Sequence, residues 1–341
     1  METSDQESPG QSGRVRLSGL SPRAYEHPAD RAALVALRSV PGFDLVLRKL
    51  FGLIGERSIR LIYLGSAVRV GPNQFRALYQ AYEECLEVFD ISDRPELYVS
   101  QTPFVNAGAI GVDRPFIVLN SATLTLLEPE EMRVILGHEI GHILSGHALY
   151  KTMLQLLVRL SLLAVTVPVA SWTLMAVIAA LKEWDRKSEL SADRAGLLVS
   201  QDPGVSYRVQ MKLAGGPHID EMNLDEFLRQ ADEYEAGGDV LDSVFKLLNI
   251  VAQSHPFPVL RVAELKRWVD RGDYARVLSG DYPRRTEDPQ VSILEELRSS
   301  ARSYREQYDE SRDPLSRFFK DLGGSVSAAG EKVWNRFSRR E

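Results

Sequence analysis

The sequence contains almost no cysteine and no excess of basic residues. Its single cysteine, Cys85, falls among the apolar positions of a predicted helix, so it forms no disulfide within the chain and is expected to be a core thiol in a reducing compartment. A formal net charge of −6 gives no indication of nucleic-acid binding. Residues 1–24 are rich in Ser, Gly and Pro and lack an apolar run, so we expect no secretory signal peptide and predict a disordered leader. These absences favour a cytoplasmic protein with no nucleic-acid partner.

The most informative motif lies within residues 131–148. There His138, Glu139 and His142 form the pattern His-Glu-x-x-His. Pro129 and the glutamates around it favour the start of a helix just before this motif. Residues four apart lie on one face of a helix, so both imidazoles can bind one Zn²⁺ while Glu139 takes a proton from a metal-bound water. The alternative is a helix whose two histidines are satisfied by backbone or carboxylate partners, and a third ligand would decide between the two.

A second predicted helix, from about residue 184 to 200, offers that ligand. Glu189 and Asp193 are four apart in it and therefore share a face. Glu189 can complete a site of two histidines and one glutamate for a single Zn²⁺ per chain, with a fourth position left for water. Asp193 can accept a hydrogen bond from the outer ring nitrogen of a ligand histidine. An acidic pair at this spacing is usually a solvated face, but the small residues beside it allow close packing against another helix.

With these motifs the chain resembles the HtpX and CAAX prenyl endopeptidase family of zinc metallopeptidases, which are gluzincins. The metzincin pattern is excluded, because it needs a histidine where Ala148 stands, and His147 is one residue short and is expected to point elsewhere on the helix. The resemblance spans roughly residues 25–275. Four motifs match in order: Asn106-Ala107, His138-Glu-x-x-His142, Glu189-x-x-x-Asp193, and Ser254-His255-Pro256 followed by Arg261.

The resemblance implies a zincin-like domain that cuts internal bonds of polypeptides, with Glu139 as the general base. It also implies that Asn106 and Ala107 lie on an edge strand that pairs with the extended substrate, although an ordinary turn would explain the same residues. In the family, the histidine at the position of His255 faces the metal and helps to hold the developing oxyanion. Arg261 is expected to orient nearby carboxylates or the loop of His255, unless it is a plain surface arginine.

Two other kinds of protein could use the same features. A non-proteolytic, metal-stabilised chaperone could hold polypeptides on the edge strand without cutting them. A membrane-associated adaptor could retain the two helices without their chemistry. The intact Glu139 counts against the chaperone, because a purely structural metal site has no use for a base.

One long apolar run stands out, since residues 160–181 contain no charged side chain. Its length matches the roughly 20 residues that a membrane-spanning helix needs. A single crossing, however, would place His142 and Glu189 on opposite sides of the bilayer. We therefore predict either a buried core helix or a hairpin, broken near Pro168, that dips into a membrane without crossing it.

The order of elements predicts a mostly helical α+β fold with a small sheet. Short strands are predicted around 96–100, 105–111 and 116–119, before the helix that carries His-Glu-x-x-His. We predict one metallopeptidase domain over residues 25–280, which includes the apolar run, and a charged, amphipathic tail over residues 281–341. Either the run or the tail can contact a membrane surface, although a partly disordered or docked tail is the simpler interpretation.

Overall fold

Helices dominate the computed structural model, and four short strands form one mixed sheet, so the predicted mostly helical fold with a small sheet is confirmed. The described residues are 13–40, 42, 43, 46, 50, 56–162, 171–236 and 257–290. Their helices are α1 (Pro28–Arg38), α2 (Glu56–Ser66), α3 (Arg76–Val88), α4 (Ser121–Leu126), α5 (Pro129–Leu144), α6 (His147–Leu162), α7 (Ser171–Ser200), α8 (Pro203–Gly215), α9 (Leu224–Ala236), α10 (Pro258–Asp270) and α11 (Asp273–Leu278). Short 3₁₀ helices cover Pro22–Ala24, Ile219–Glu221 and Arg285–Gln290. The strands are β1 (Val68–Arg69), β2 (Leu97–Ser100), β3 (Ala107–Ile110) and β4 (Phe116–Asn120).

The sheet has the order β1-β2-β4-β3, which makes β3 an edge strand. Strands β2 and β4 are parallel, whereas β3 pairs with β4 in the antiparallel sense with Ala107 opposite Leu119. Phe116 to Leu119 of β4 are all buried, as expected for a strand covered on both faces. Helices α5 and α6 both contact β3. The edge strand therefore lies beside the helix that carries His-Glu-x-x-His.

Local interactions fix the start of helix α5. Pro129 occupies the first helical position, where its missing N–H costs no hydrogen bond. The backbone N–H of Glu128 donates to the Glu131 carboxylate at 3.0 Å, half of the reciprocal pattern known as a capping box. Glu131 is itself buried and receives a hydrogen bond from Lys212 of α8 at 2.8 Å. This start determines which residues of α5 face α7.

Helices α5 and α7 cross at very short range through glycine. A Cβ atom on Gly196 would lie 2.6 Å from the carbonyl oxygen of Val134, and one on Gly141 would lie 2.4 Å from the Cβ of Ala195. Neither distance is compatible with a side chain, so the backbones can approach this closely only because both residues are glycine. The crossing brings the face of α5 that carries the two histidines against the face of α7 that carries Glu189.

We expect Gly196→Ala to lower the free energy of unfolding by about 1–3 kcal/mol, because the added methyl group meets the backbone oxygen of Val134 and forces the helices apart. Gly65→Ala is the matched control. Gly65 also lies in a helix, α2, but a Cβ there would meet no atom within 4 Å. The control should be neutral or stabilising by up to about 1 kcal/mol. Urea unfolding of both variants provides the measurement, and equal effects would contradict the packing argument.

The main core lies between the sheet and the helices packed on it. Cys85 of α3 belongs to this core and is fully buried, so the prediction of a core thiol is confirmed. Burial raises the pKa of the thiol, which leaves it protonated and unreactive in the folded protein.

The apolar run at residues 160–181 is divided between the end of α6 and the start of α7. Val177 and Leu181 of α7 are buried against Leu157 of α6 in a second core cluster. Residues 163–170, which include the predicted break at Pro168, lie outside the described residues. Within the described ranges, none of the helices combines the length and apolar character that a membrane crossing demands.

The predicted domain boundaries need correction at both ends. Residues 13–24 are not a disordered leader, because Leu17 and Leu20 are fully buried in the main core. Residues 281–290 pack with this segment, since Leu20 forms a β-bridge with Arg284 and the Ser21 hydroxyl donates to Asp288 at 2.6 Å. The sequence interpretation failed here because two leucines in a polar stretch leave no periodic pattern. Residues 1–12 and 291–341, with the rest of the predicted leader and tail, lie outside the described residues.

Candidate metal centre

Helix α5 presents two buried imidazoles one turn apart. The ring centroids of His138 and His142 are 4.7 Å apart, and the ring planes are nearly perpendicular at 87°. Both side chains are almost completely removed from solvent. The apolar residues of α5 that surround them are also buried, so this helix carries its polar residues inside the protein rather than on a solvated face.

Glu189 of α7 faces both rings. Its Oε2 atom lies 3.4 Å from His138 Nε2, and its Oε1 atom lies 3.2 Å from His142 Nε2. One ligand atom from each of the three side chains falls within 4.8 Å of the other two. His142 Nε2 is buried, and although Glu189 is near, it makes no hydrogen bond of acceptable geometry. Two imidazole nitrogens and a carboxylate oxygen that converge in this way could hold a metal ion.

Asp193, one turn beyond Glu189, supports His138 from behind. Its Oδ1 atom lies 3.2 Å from His138 Nδ1, and it also accepts a hydrogen bond from Gln210 at 3.0 Å. Arg261 of α10 donates to both of its oxygens, at 2.7 Å and 2.5 Å. Burial by itself raises the pKa of Asp193, but Arg261 and His138 outweigh it and hold that pKa below its usual value. Arg261 is therefore a buried partner of the carboxylates and not a surface arginine.

The two histidines differ in their electrostatic surroundings. Burial favours the neutral form of His138, but its hydrogen bonds with Asp193 and Glu189 prevail and raise its pKa to about 9. Burial and the charge of Lys151 lower the pKa of His142 well below its usual value, so this ring is neutral. Since a metal ligand must be deprotonated at the binding nitrogen, a metal ion would compete with a proton at His138 alone.

Glu139 is buried beside the histidines and next to the edge strand. The backbone N–H of Ala109 in β3 hydrogen-bonds its carboxylate, while its Oε2 atom is buried without a hydrogen-bond partner. Burial raises the pKa of this carboxyl group. A carboxylate with a raised pKa and one unpaired oxygen is suited to accept and release a proton.

Asn106 and Ala107, which the resemblance implied to pair with the substrate, lie at the start of the edge strand, and that pairing stays a prediction. Ala107 is the first residue of β3, and Asn106 directly precedes it and is exposed. The backbone of Asn106 is fixed by Thr123, whose hydroxyl accepts from its N–H at 2.9 Å and donates to its carbonyl at 2.8 Å. His255 lies outside the described residues.

Four residues near the centre were not anticipated from the sequence. Lys151 of α6 is buried, and its Nζ atom lies 2.6 Å from Glu189 Oε1 and 2.8 Å from Asp185. Burial alone lowers the pKa of Lys151, but Asp185 and Glu189 raise it above the usual value. One sequence signal could have indicated this group. Asp185 lies one turn before Glu189 and continues the acidic face of α7, and such a buried acidic face needs a cationic partner.

His147 and Asp30 are the other two. The expectation that His147 points elsewhere on the helix is wrong, because α5 ends at Leu144 and His147 begins α6 after a turn at Gly146. Its ring lies behind His142, with the two Nδ1 atoms 3.0 Å apart. Asp30, from α1, lies 3.1 Å from His147 Nε2.

These features define a class of protein. The fold is largely helical. One helix supplies His-Glu-x-x-His and a second supplies Glu-x-x-x-Asp to the same buried cluster, and this arrangement is that of a metallopeptidase. The sequence profile of Peptidase family M48 matches residues 72–269, and the chain belongs to this family. It is therefore a metalloprotease, and the resemblance found in the motifs is confirmed.

Curated relatives agree with this assignment. The chain is 36% identical over 260 residues to the plastoglobule-localized metallopeptidase 48 of Arabidopsis thaliana chloroplasts, and this alignment covers 74% of each chain. It is 32% identical over 95 residues to Protease HtpX homolog 2 of Sulfurisphaera tokodaii, which covers 27% of this chain and 28% of the relative. A Protease HtpX homolog of Thermoplasma volcanium is 30% identical over 103 residues, or 29% of this chain and 32% of the relative. No solved structure matches the chain.

Proposed function

We propose that this protein is a zinc-dependent metalloendopeptidase whose metal ligands are His138, His142 and Glu189. The observation that carries the proposal is the convergence of these three buried side chains, whose ligand atoms lie within 4.8 Å of one another. Two imidazoles and one carboxylate are a common ligand set of catalytic zinc, and they leave a fourth position for water. A purely structural zinc site would instead close all four positions with protein ligands.

The charges of the centre support a divalent cation. Four carboxylates and two cationic side chains meet there in the protein interior. They are Glu139, Asp185, Glu189 and Asp193 on one side, and Lys151 and Arg261 on the other. When these six are ionised and His138 is neutral, as a metal ligand must be, two negative charges remain uncompensated; when His138 is protonated, one remains. Buried charge is costly unless it is paired, so a divalent cation stabilises this arrangement as no neutral ligand could.

Glu139, Asp193 and Arg261 each have a role in the proposed peptide hydrolysis. When bound, a zinc ion lowers the pKa of a coordinated water toward neutrality and polarises the scissile carbonyl. Glu139 takes the proton from the attacking water and returns it to the nitrogen of the leaving amine. Asp193, held by Arg261, accepts a hydrogen bond from the outer nitrogen of His138 and fixes the orientation of that ring. The role of His255 in holding the oxyanion stays a prediction.

The edge strand supports an extended polypeptide as the substrate. Strand β3 lies at the edge of the sheet, and Glu139 is joined to its Ala109 by a hydrogen bond. Because Thr123 already binds the main-chain N–H and C=O of Asn106, a peptide would pair with the main chain of Ala107 and contact the Asn106 side chain, and it would therefore run past the general base. Main-chain pairing of this kind accepts many sequences, which suits an endopeptidase that cuts internal bonds.

We also propose a cytoplasmic location with contact to a membrane surface. Met175, in the first turns of α7, is 65% exposed although it belongs to the apolar run 160–181. The Arabidopsis relative is named for its location at plastoglobules. Binding of the purified protein to vesicles of neutral and anionic lipid tests this point separately from catalysis.

The proposed activity is tested with a casein substrate and a mixed peptide library. The purified protein should cleave both at internal bonds, a strong chelator should abolish cleavage, and added Zn²⁺ should restore it. The positions of the new termini, read by mass spectrometry, distinguish internal cleavage from trimming at chain ends. A preparation with stoichiometric zinc that cleaves none of these substrates would contradict the proposal.

A further inference from the structure

A chain of buried hydrogen bonds leads from His142 to the N-terminal helix. His142 Nδ1 lies 3.0 Å from His147 Nδ1, and His147 Nε2 lies 3.1 Å from Asp30 Oδ2. The Ser191 hydroxyl donates to the same Asp30 oxygen at 2.6 Å and accepts the backbone N–H of His27 at 2.8 Å. All of these side chains are buried. The chain is continuous from α5 through α6 to α1.

The positions of the protons follow from the metal ligand. If His142 binds a metal through Nε2, its neutral ring carries the proton on Nδ1. His147 Nδ1 must then accept the hydrogen bond from this N–H, because two donors cannot face each other at 3.0 Å. His147 consequently carries its own proton on Nε2, where the Asp30 carboxylate accepts it. Every donor in the chain thus has an acceptor, and only this pair of tautomers satisfies both histidines.

Asp30 comes from a part of the chain that the family profile does not cover. The profile matches residues 72–269, whereas α1 ends at Arg38. Helix α1 packs against α7, the helix that also supplies Glu189 and Ser191. His138 already has a carboxylate behind its ring, Asp193, within the matched region. For His142 the corresponding acid is Asp30, which acts through His147 instead of contacting the ring directly and is supplied from outside that region.

We propose that His147 and Asp30 are positioning residues of the metal centre: Asp30 fixes the tautomer of His147, and His147 fixes that of His142, so that helix α1 completes the site. This inference rests on the proposed function, since it takes His142 as a metal ligand. The competing explanation is packing alone, because the His147 ring also lies edge-on against Trp184 with 5.4 Å between centroids.

Metal affinity of the full-length protein tests the proposal independently of cleavage. We would measure Zn²⁺ binding by chelator competition, and the absorption bands of the Co²⁺-loaded protein, for His147→Leu, His147→Asn and Asp30→Asn. His147→Leu removes the acceptor for His142 and should lower Zn²⁺ affinity about 10–100-fold. His147→Asn places an amide oxygen near the position of Nδ1, so affinity and Co²⁺ bands should stay close to those of the wild type. Circular dichroism confirms that each variant is folded.

Asp30→Asn keeps the shape of the side chain, so this variant tests the proposal even if His147→Leu does not fold. Its amide group can donate to His147 Nε2, which would reverse the tautomer of His147, so we expect about a 10-fold loss of Zn²⁺ affinity. The control is His218→Leu, at an exposed histidine far from the chain of bonds, which should change nothing.

The outcomes separate this inference from the proposed function. Wild-type affinity in both His147→Leu and Asp30→Asn would overturn the inference, and so would an equal loss in His147→Asn and His147→Leu, because packing alone would then explain the effect. Either result leaves the proposed function intact as long as the wild-type protein binds zinc and cleaves peptides. A wild-type protein that binds zinc without cleaving would instead overturn the proposed function and leave the affinity comparison valid.

Discussion

Glu139→Gln is expected to reduce the rate of peptide cleavage by about 10³-fold or more while zinc stays bound. Positioned general acid–base groups typically contribute 10²–10⁴-fold to the rate, and Glu139 serves in both proton transfers. The amide of glutamine has nearly the shape of the carboxylate but cannot take up a proton. It can still accept the hydrogen bond from the backbone of Ala109. The fold and the ligands should therefore be preserved, and the loss should fall on turnover. Rates of casein cleavage and the zinc-to-protein ratio are the two measurements.

Glu130→Gln is the matched control for this experiment. Glu130 lies in the first turn of the same helix, and its exposed carboxylate pairs with Arg133, at 2.8 Å, and with Arg14. Surface ion pairs contribute little, so cleavage and zinc content should stay near those of the wild type. If Glu139→Gln kept its activity, the water would have to lose its proton to another group, and the proposed role of Glu139 would be wrong.

The parts of the site that could be predicted are those fixed within a single helix. His138 and His142 share a face of α5 because they are four residues apart, and the same spacing aligns Glu189 with Asp193 on α7. Helical periodicity sets these relations before any tertiary contact forms. The small residues near Gly196 also indicated that the two helices could approach closely, and the crossing makes use of them.

The parts that could not be predicted depend on how separate elements meet. Lys151 and Asp30 reach the centre from α6 and α1, and no periodic relation links either residue to the ligands. For His147, a regular relation gave a wrong answer. The projection onto α5 assumed one continuous helix, but Gly146 adopts φ +68° and ends it, so the ring returns to the site from a new direction.

Glu189→Gln is expected to lower zinc affinity by more than about 100-fold, since loss of a group that merely supports a ligand already costs 10–100-fold. The neutral amide oxygen is a much weaker metal ligand than a carboxylate. Lys151 keeps its bond to Asp185 at 2.8 Å in this variant, so a second buried charge is not left alone and the fold should survive. Chelator competition with Zn²⁺ gives the affinity, and circular dichroism checks the fold.

Two further variants make the result specific. Asp193→Asn removes support from His138 but no ligand, so its loss of affinity should be clearly smaller than that of Glu189→Gln. Glu183 lies in the same helix but pairs with Arg186 away from the cluster, so the Glu183→Gln variant should bind zinc like the wild type. Affinity that falls in the order Glu183→Gln, Asp193→Asn, Glu189→Gln is what a two-histidine, one-glutamate site requires. Unchanged zinc binding in Glu189→Gln would remove this residue from the ligand set, and the centre would need another third ligand.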